Sequence, residues 1–114
     1  MNLQPGDIYH AKFGQGKARP VVVVSRANLN SGKYVIVVPF TTQRLDKRRT
    51  LDSCEFFKSG EHGLTEDCVA KADEITFIDK ISIDSRKGRL GALPKDRMTD
   101  IVKAIRYVVN DDID

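Results

Sequence analysis

The residues best suited to chemistry stand at the ends of two apolar runs. Arg19 precedes Val21–Val24, and Thr41, Thr42 and Gln43 follow Val35–Val38. A guanidinium presents a fork of donors that matches phosphate or carboxylate oxygens, and a hydroxyl both donates and accepts. If the two runs pair as antiparallel strands, the start of one lies beside the end of the other. Arg19 and Thr41 then share one rim of a rigid sheet. Later in the chain, Lys71 and Asp73 alternate with apolar neighbours in the stretch Asp67–Phe77. Read as one strand, that stretch puts Val69, Lys71, Asp73, Ile75 and Phe77 on one side. The charged pair is then either the floor of a polar pocket or a cross-face ion pair worth little. The residues alone leave both readings open.

Other chemistries are poorly served. Cys54 and Cys68 have no metal-like spacing and no nearby His, so they read as free, partly buried thiols. Gly14-Gln15-Gly16-Lys17 is a flexible loop, but it lacks the spacing of a phosphate-binding P-loop. His10 is a further candidate base, but as a lone strand histidine it reads as structural; His62 sits in a turn and reads as surface. Neither a metal nor a cofactor is expected.

The elements that must hold these groups follow from periodicity. The two valine-rich runs are β-branched and suit a buried pleated surface. Ala27–Gly32 between them is a cluster of turn formers. Asp7–Phe13 alternates as a first strand, with Tyr9, Ala11 and Phe13 against Ile8, His10 and Lys12. Pro20 belongs at a strand start and holds Arg19 extended; Pro39 marks a bend near a strand end. Thr42–Thr50 is a polar, basic loop, Leu51–Phe57 a strand, Ser59–Gly63 a turn, Ile78–Lys80 a turn and Gly88–Gly91 a short edge strand. From Pro94 to Val109 the period changes to three and four. Met98, Ile101, Val102, Ile105, Val108 and Val109 form the stripe of an amphipathic helix. Asp96 suits its first turn, its N-cap is weak, and the acidic tail Asp111, Asp112 and Asp114 should fray. The expected architecture is mainly β, a strongly bent antiparallel sheet closed by one C-terminal helix.

A chain of 114 residues that is 40% hydrophobic suits one domain, residues 1–114. No apolar run approaches the ~20 residues of a spanning helix, and the N-terminus lacks the pattern of a signal peptide. The expectation is a cytoplasmic protein with no membrane contact. The formal charge of +3 permits a polyanionic partner without demanding one. Two basic knots, Lys47-Arg48-Arg49 and Arg86, Lys87 and Arg89, read equally as solvated turns or phosphate contacts.

Five motifs, in order and with compatible spacing, resemble the MazF/PemK family, the toxins of type II toxin–antitoxin pairs. Gly6-Asp7-Ile8 resembles the family's Gly-Asp-Ile/Val opening. Arg19-Pro20-Val21-Val22-Val23-Val24-Ser25 resembles its Arg-Pro-x-Val-Val-Ile-Ser. Val37-Val38-Pro39-Phe40-Thr41-Thr42 resembles its Val-Val-Pro-Ile-Thr-Ser. Gly63-Leu64 through Val69, with Asp73-Glu74-Ile75 and Ile78-Asp79-Lys80, resembles a further segment, and Arg89-Leu90-Gly91 before the helix resembles its ending.

The resemblance implies an SH3-like (MazF/PemK/CcdB-like) barrel. It further implies a homodimer, a cognate antitoxin protein as partner, and metal-independent, sequence-specific cleavage of single-stranded mRNA. The expected ends are a 2′,3′-cyclic phosphate and a 5′-hydroxyl. The family's arginine and threonine carry over to Arg19 and Thr41. The Arg-x-Asp of the PemK branch reads here as Lys71-Ala72-Asp73. Such a reaction needs a base for the 2′-hydroxyl, an acid for the 5′-oxygen and donors for the phosphorane. On this reading Arg19 clamps the phosphate and serves as acid, Thr41 hydrogen-bonds it, and Asp73 is the base. Gln15, Lys17, Thr42, Gln43, Lys47, Lys71 and Glu74 bind the substrate, with Gln15, Lys17, Gln43 and Lys47 lining the RNA path. The dimer interface is assigned to Gly88–Leu90 and the helix, whose stripe of Met98, Ile101 and Ile105 reads equally as plain core.

Some residues depart from the pattern. The Gly14–Ala18 loop is short, Glu74 stands where Gln is typical, and Thr76 and Phe77 stand where Arg-Thr is typical. These departures keep alive an alternative, a non-catalytic SH3-like module that binds RNA or protein. A DNA-gyrase inhibitor of look-alike fold is a third reading, opposed by the Arg19-Pro20 and Thr41 match.

Overall fold

The valine runs are long because both faces of their strands are buried. Val22 and Val38 pack into one apolar cluster with Ile8, Phe40, Phe57, Ala70 and Ile101. Val21, Val23, Val35 and Val37 pack into a second, with Leu3, Tyr9, Ala11, Ile78 and Ile83. A strand buried on one side alternates apolar with polar residues; one buried on both does not. Each fully buried side chain of this kind contributes about 1.5–3 kcal/mol relative to exposure.

The structure, a computed structural model, describes residues 2–12 and 14–110. Seven strands and two helices follow in order: β1 Asp7–Ala11, β2 Arg19–Val23, β3 Tyr34–Thr41, α1 Leu45–Arg48, β4 Cys54–Phe57, β5 Cys68–Lys71, β6 Thr76–Asp79, β7 Arg89–Ala92 and α2 Lys95–Val109. The sheet order is β4-β5-β3-β2-β1-β7, with β6 also paired to β3. Every pairing is antiparallel. The sheet curls into a half-barrel. Its two edges approach where the loop after β4 crosses β7: a Cβ on Gly63 would lie 2.0 Å from the Leu90 carbonyl oxygen, and one on Gly91 2.0 Å from that of His62.

Strand β3 is the hub. One edge pairs with β2, Val21 opposite Pro39 and Val23 opposite Val37. The other edge is shared: β6 takes Tyr34–Val37 and β5 takes Phe40 and Thr41. Between them, beside Pro39, the chain makes a 3-10 turn over Ala72–Glu74. Pro39 has no N–H, and the alternation of the ladder aims its backbone nitrogen at that gap. The missing donor therefore costs no strand pairing. The expected bend at Pro39 is the place where β3 changes partners while staying one strand.

This arrangement corrects several expectations. Asp67–Phe77 is not a single strand: the 3-10 turn divides it and breaks its alternation, so Ala72 is buried while Asp73 is exposed. The strand expected from Leu51 begins at Cys54, because Arg48–Asp52 finish the turn after α1. Ile78 and Asp79 end β6, and the 3-10 turn that follows runs Lys80–Ser82. Thr42–Thr50 holds a short helix, α1, and the Ala27–Gly32 connection a 3-10 turn over Leu29–Ser31. That connection is tied down by a buried network. Ser25 bonds Asn30, which donates to the carbonyls of Leu3 and Ser25 at 3.0 Å each, while Ile36 N–H donates to Ser25 Oγ at 3.0 Å.

Helix α2 begins at Lys95, with Pro94 at its cap and no side-chain capping bond. Ile101 and Ala104 are its buried residues, and Met98 and Ile105 pack against the first cluster. Val102 and Val109 are exposed, so the stripe is narrower than the sequence suggested. Arg97 pins the helix to β4, donating to Glu55 at 3.0 Å and to the Phe56 carbonyl while stacking 4.1 Å over Phe57. Met98, Ile101 and Ile105 serve the core. Phe13 and the tail Asp111–Asp114 lie outside the described residues. Among those residues no helix is long and apolar enough to cross a membrane.

Three outcomes check this packing. Gly63 combines a φ of +87° with backbone contact to Leu90, so Gly63→Ala should cost about 2 kcal/mol or more in urea unfolding. Gly88→Ala, at a φ of +64° but in open space, should cost about 1–2 kcal/mol. Cys54 and Cys68 are both free and buried, and burial pushes the Cys68 thiol up to about 12. Native protein at pH 8 should leave both thiols unreacted with a maleimide, and both should react after denaturation, as read by intact mass.

Candidate active site

The site lies where β3 changes partners. Arg19 stands two residues before Val21, and Thr41 two after Pro39; the Val21–Pro39 pairing therefore puts both at one end of β2 and β3. They share the sheet face opposite Phe40. Lys71 follows Ala70, the partner of Phe40, so it also falls on the face of Thr41 and Pro39. The 3-10 turn then brings Asp73 and Glu74 to the same place. The order of strands thus gathers five polar side chains that the sequence spreads over nearly half its length.

Glu74 is the centre of the cluster. Its Oε1 accepts from Arg19 Nη2 at 3.0 Å, across 55 residues of sequence, and its Oε2 accepts from Lys71 Nζ at 2.9 Å. Asp73 Oδ2 lies 3.8 Å from Lys71 Nζ. The Lys71 side chain is 13% exposed, Glu74 38% and Asp73 46%. Burial pushes the Glu74 carboxyl up, yet the Lys71 hydrogen bond and charge, with those of Arg19, hold it below its ordinary value. Thr41 Oγ1 accepts from the Gln43 N–H at 3.2 Å, which shapes the turn leaving β3.

Thr42, Gln43 and Lys47 continue outward from Thr41, all exposed. Thr42 and Lys47, with Arg44, Leu45 and Asp46, line an open cleft of about 610 Å³. Arg44, at a left-handed φ of 53°, starts α1; its role beside this cleft carried no signal in the sequence. The basic knot divides by function. Arg48 donates to the Gln43 carbonyl at 3.1 Å and Arg49 stacks 4.0 Å over Phe56, which leaves Lys47 facing solvent. Gln15 and Lys17 are exposed in the loop before β2.

The second knot is a turn organised by Asp84, whose Oδ1 accepts from the N–H groups of Arg86 and Lys87, while Arg89 reaches Asp7 at 3.4 Å. His10, beside Pro20 on β1, is half-buried; burial and then Lys87 lower its proton affinity against an opposing pull from Asp84. His62 is not plain surface: half-buried, at a φ of 57°, its ring lies 6.2 Å from that of Phe57.

Because Glu74's carboxyl is lowered on folding, its pairing stabilises the protein above the ordinary carboxylate value of 4.5 and is lost as pH falls through the lowered one. Solvent screening keeps the effect within about 1 kcal/mol. Glu74→Gln should therefore be slightly less stable than the parent at pH 7 in urea unfolding, and the gap should close as the pH is taken well below 4.5.

A search of curated proteins finds no matching sequence. Solved structures are similar across nearly the whole chain. A mycobacterial endoribonuclease in complex with its cognate antitoxin superposes with a TM-score of 0.78 at 24% identity, covering 97% of this chain and 98% of that one. The toxin MazF-mt6 of Mycobacterium tuberculosis gives 0.78 at 23%, covering 94% and 99%. MazF in a MazE-MazF crystal of Deinococcus radiodurans gives 0.73 at 18%, covering 96% of each chain. These likenesses establish the fold. A family model for the PemK-like, MazF-like toxins of type II toxin-antitoxin systems matches residues 4–109, and the chain belongs to that family.

Proposed function

We propose that this toxin is an endoribonuclease that cleaves single-stranded mRNA at specific sequences through attack of the 2′-hydroxyl, without a metal. The observation that carries the reading is the convergence of Arg19, Thr41, Lys71 and Asp73 at one end of β2, β3 and β5, around the break beside Pro39. Two cations, a hydroxyl and a carboxylate supply the donors, acid and base that a phosphoryl transfer of this kind uses.

Asp73 takes the proton of the 2′-hydroxyl. It suits that role because its carboxylate is more exposed than that of Glu74 and is not clasped between two cations. The 2′-oxygen then bonds to phosphorus, and the charge that develops on the phosphorane is met by Arg19, Lys71 and the Thr41 hydroxyl. The bond to the 5′-oxygen breaks. Arg19 protonates the departing oxygen, since an alkoxide is a far stronger base than the neutral guanidine. The products are a 2′,3′-cyclic phosphate and a 5′-hydroxyl. Thr42, Gln43 and Lys47 continue the path of the strand from the site into the cleft at α1, and Gln15 and Lys17 flank it from the loop before β2. Unstacked bases expose the edges that such a path reads.

As a type II toxin the protein works in the cytoplasm as a homodimer, held inactive by a cognate antitoxin. The solved MazE-MazF complexes and the mycobacterial endoribonuclease–antitoxin complex support that assignment by likeness of fold. Of the two readings of the stripe Met98, Ile101 and Ile105, the core holds, so any helix contribution to a dimer comes from its exposed side.

The test is incubation of purified protein with long unstructured RNA in EDTA, with cut sites and end groups mapped. Discrete cuts with cyclic phosphate ends are expected. Arg19→Ala should lower the rate at least about 100-fold, and Asp73→Asn by a similar factor, with unchanged circular dichroism. Full activity in Arg19→Ala would end this reading. Intact RNA at enzyme excess, with retained salt-sensitive binding, would turn it into the binding-module alternative.

A further inference from the structure

The two cations at the heart of the site are not waiting open for a substrate. Glu74 spans them, one carboxylate oxygen 3.0 Å from Arg19 Nη2 and the other 2.9 Å from Lys71 Nζ. Three elements build this bridge. Arg19 comes from β2, Lys71 from the end of β5, and Glu74 from the 3-10 turn lodged between β5 and β6. A carboxylate held by a guanidinium and an ammonium has the same pair of oxygen acceptors that a phosphodiester presents through its two non-bridging oxygens. The bridge is also half open to water, with Arg19 36% and Glu74 38% exposed, so it can be exchanged without unfolding the sheet.

We propose that Glu74 is the site's own anion: without substrate its carboxylate holds the position of a substrate phosphate, and RNA binds by displacing it. The proposal rests on the reading of Arg19 as the phosphate clamp. No bond is made or broken in the exchange. A phosphodiester oxygen replaces Oε1 at Arg19, and the freed carboxylate swings toward solvent beside Asp73. Two consequences follow. Affinity is lowered by the free energy of the bridge. The exchange also swaps an internal counterion for an external one, which blunts the salt dependence of binding, because the released carboxylate recruits cations as the RNA phosphate sheds them. A ligand that engages only one of the two cations leaves half the bridge in place, so a strand in correct register gains over one that is not.

The probe is a mixed pool of single-stranded 2′-O-methyl RNA, which carries the phosphates but no attacking hydroxyl. Dissociation constants are measured across a salt series for the parent, Glu74→Gln and Arg19→Gln. Glu74→Gln should bind up to about fivefold tighter at fixed salt, despite its slightly lower stability. Its log–log salt slope should be steeper by up to about 0.7. A residue with a merely structural role would not change the slope, and its loss would weaken binding. Equal or weaker binding by Glu74→Gln, with binding lost in Arg19→Gln, overturns the proposal and leaves the clamp standing. Undiminished binding by Arg19→Gln overturns both. Glu74→Ser serves as a second variant should the glutamine protein fail to fold, and the same tightening is expected of it.

Discussion

Everything at the site depends on β3 lacking a continuous partner along its second edge. A strand fully paired on both sides leaves no room for a turn against it. Here β6 stops pairing at Val37 and β5 begins at Phe40, and the interval is filled by a 3-10 turn. Pro39 makes the interval cheap, because a proline has no donor to leave unsatisfied. The turn is anchored on both sides by strands on one edge, and Ala72 N–H donates to the Ser53 carbonyl at 2.9 Å. Asp73 and Glu74 therefore project from a short rigid turn rather than from a mobile loop. Functional groups held this way keep their geometry without substrate, which electrostatic catalysis requires.

The two-faced core makes such a frame possible in a small chain. Both surfaces of β2 from Val21 and of β3 from Val37 to Phe40 are covered, one by the cluster that includes Ile101 of α2 and one by the cluster around Tyr9 and Ile78. Phe40 and Phe57 meet edge to face at 5.5 Å in the first cluster, and Arg97 closes over Phe57 from α2. Polar residues at the strand ends are thereby forced into the same place: Arg19 before the buried valines of β2, Thr41 after those of β3. Burial defines where the strands stop, and the stops define the rim.

Much of this was legible. The β-branched runs and the change of period at Pro94 give the sheet and the helix, and the antiparallel pairing of two apolar runs already sets Arg19 beside Thr41. The motif from Arg19 to Ser25 and that from Val37 to Thr42 led to the family. The break at Ala72–Glu74 was not legible, because Asp67–Phe77 alternates acceptably as a single strand; only the competition of two partners for one edge of β3 divides it. The pairing of Glu74 with Arg19 was hidden for a related reason. It joins residues 55 apart, and it becomes visible only once the turn aims Glu74 back across β3. Arg44 and Leu45 at the cleft were missed because a four-residue helix starting from a left-handed residue has no periodic signature. Val102 and Val109 were over-read: a valine at helical spacing counts toward a stripe on paper, whether or not the sheet is wide enough to cover it.

If RNA displaces Glu74 as proposed, position 74 sets stability against binding. Two cations brought together on a sheet rim repel each other and are costly to hold at 13% and 36% exposure unless an anion joins them. An enzyme that relied on substrate for that anion would carry the repulsion whenever it stood empty. A built-in carboxylate removes the cost in the empty state and imposes one on binding. A neutral amide at this position reverses the balance: it can donate and accept hydrogen bonds but cannot neutralise the pair, so the empty site is more strained and more receptive. The resemblance points to glutamine as the typical occupant. On the proposed reading, the charge at residue 74 therefore sets how tightly the site takes phosphate while the strands, the turn and the rest of the rim keep their positions.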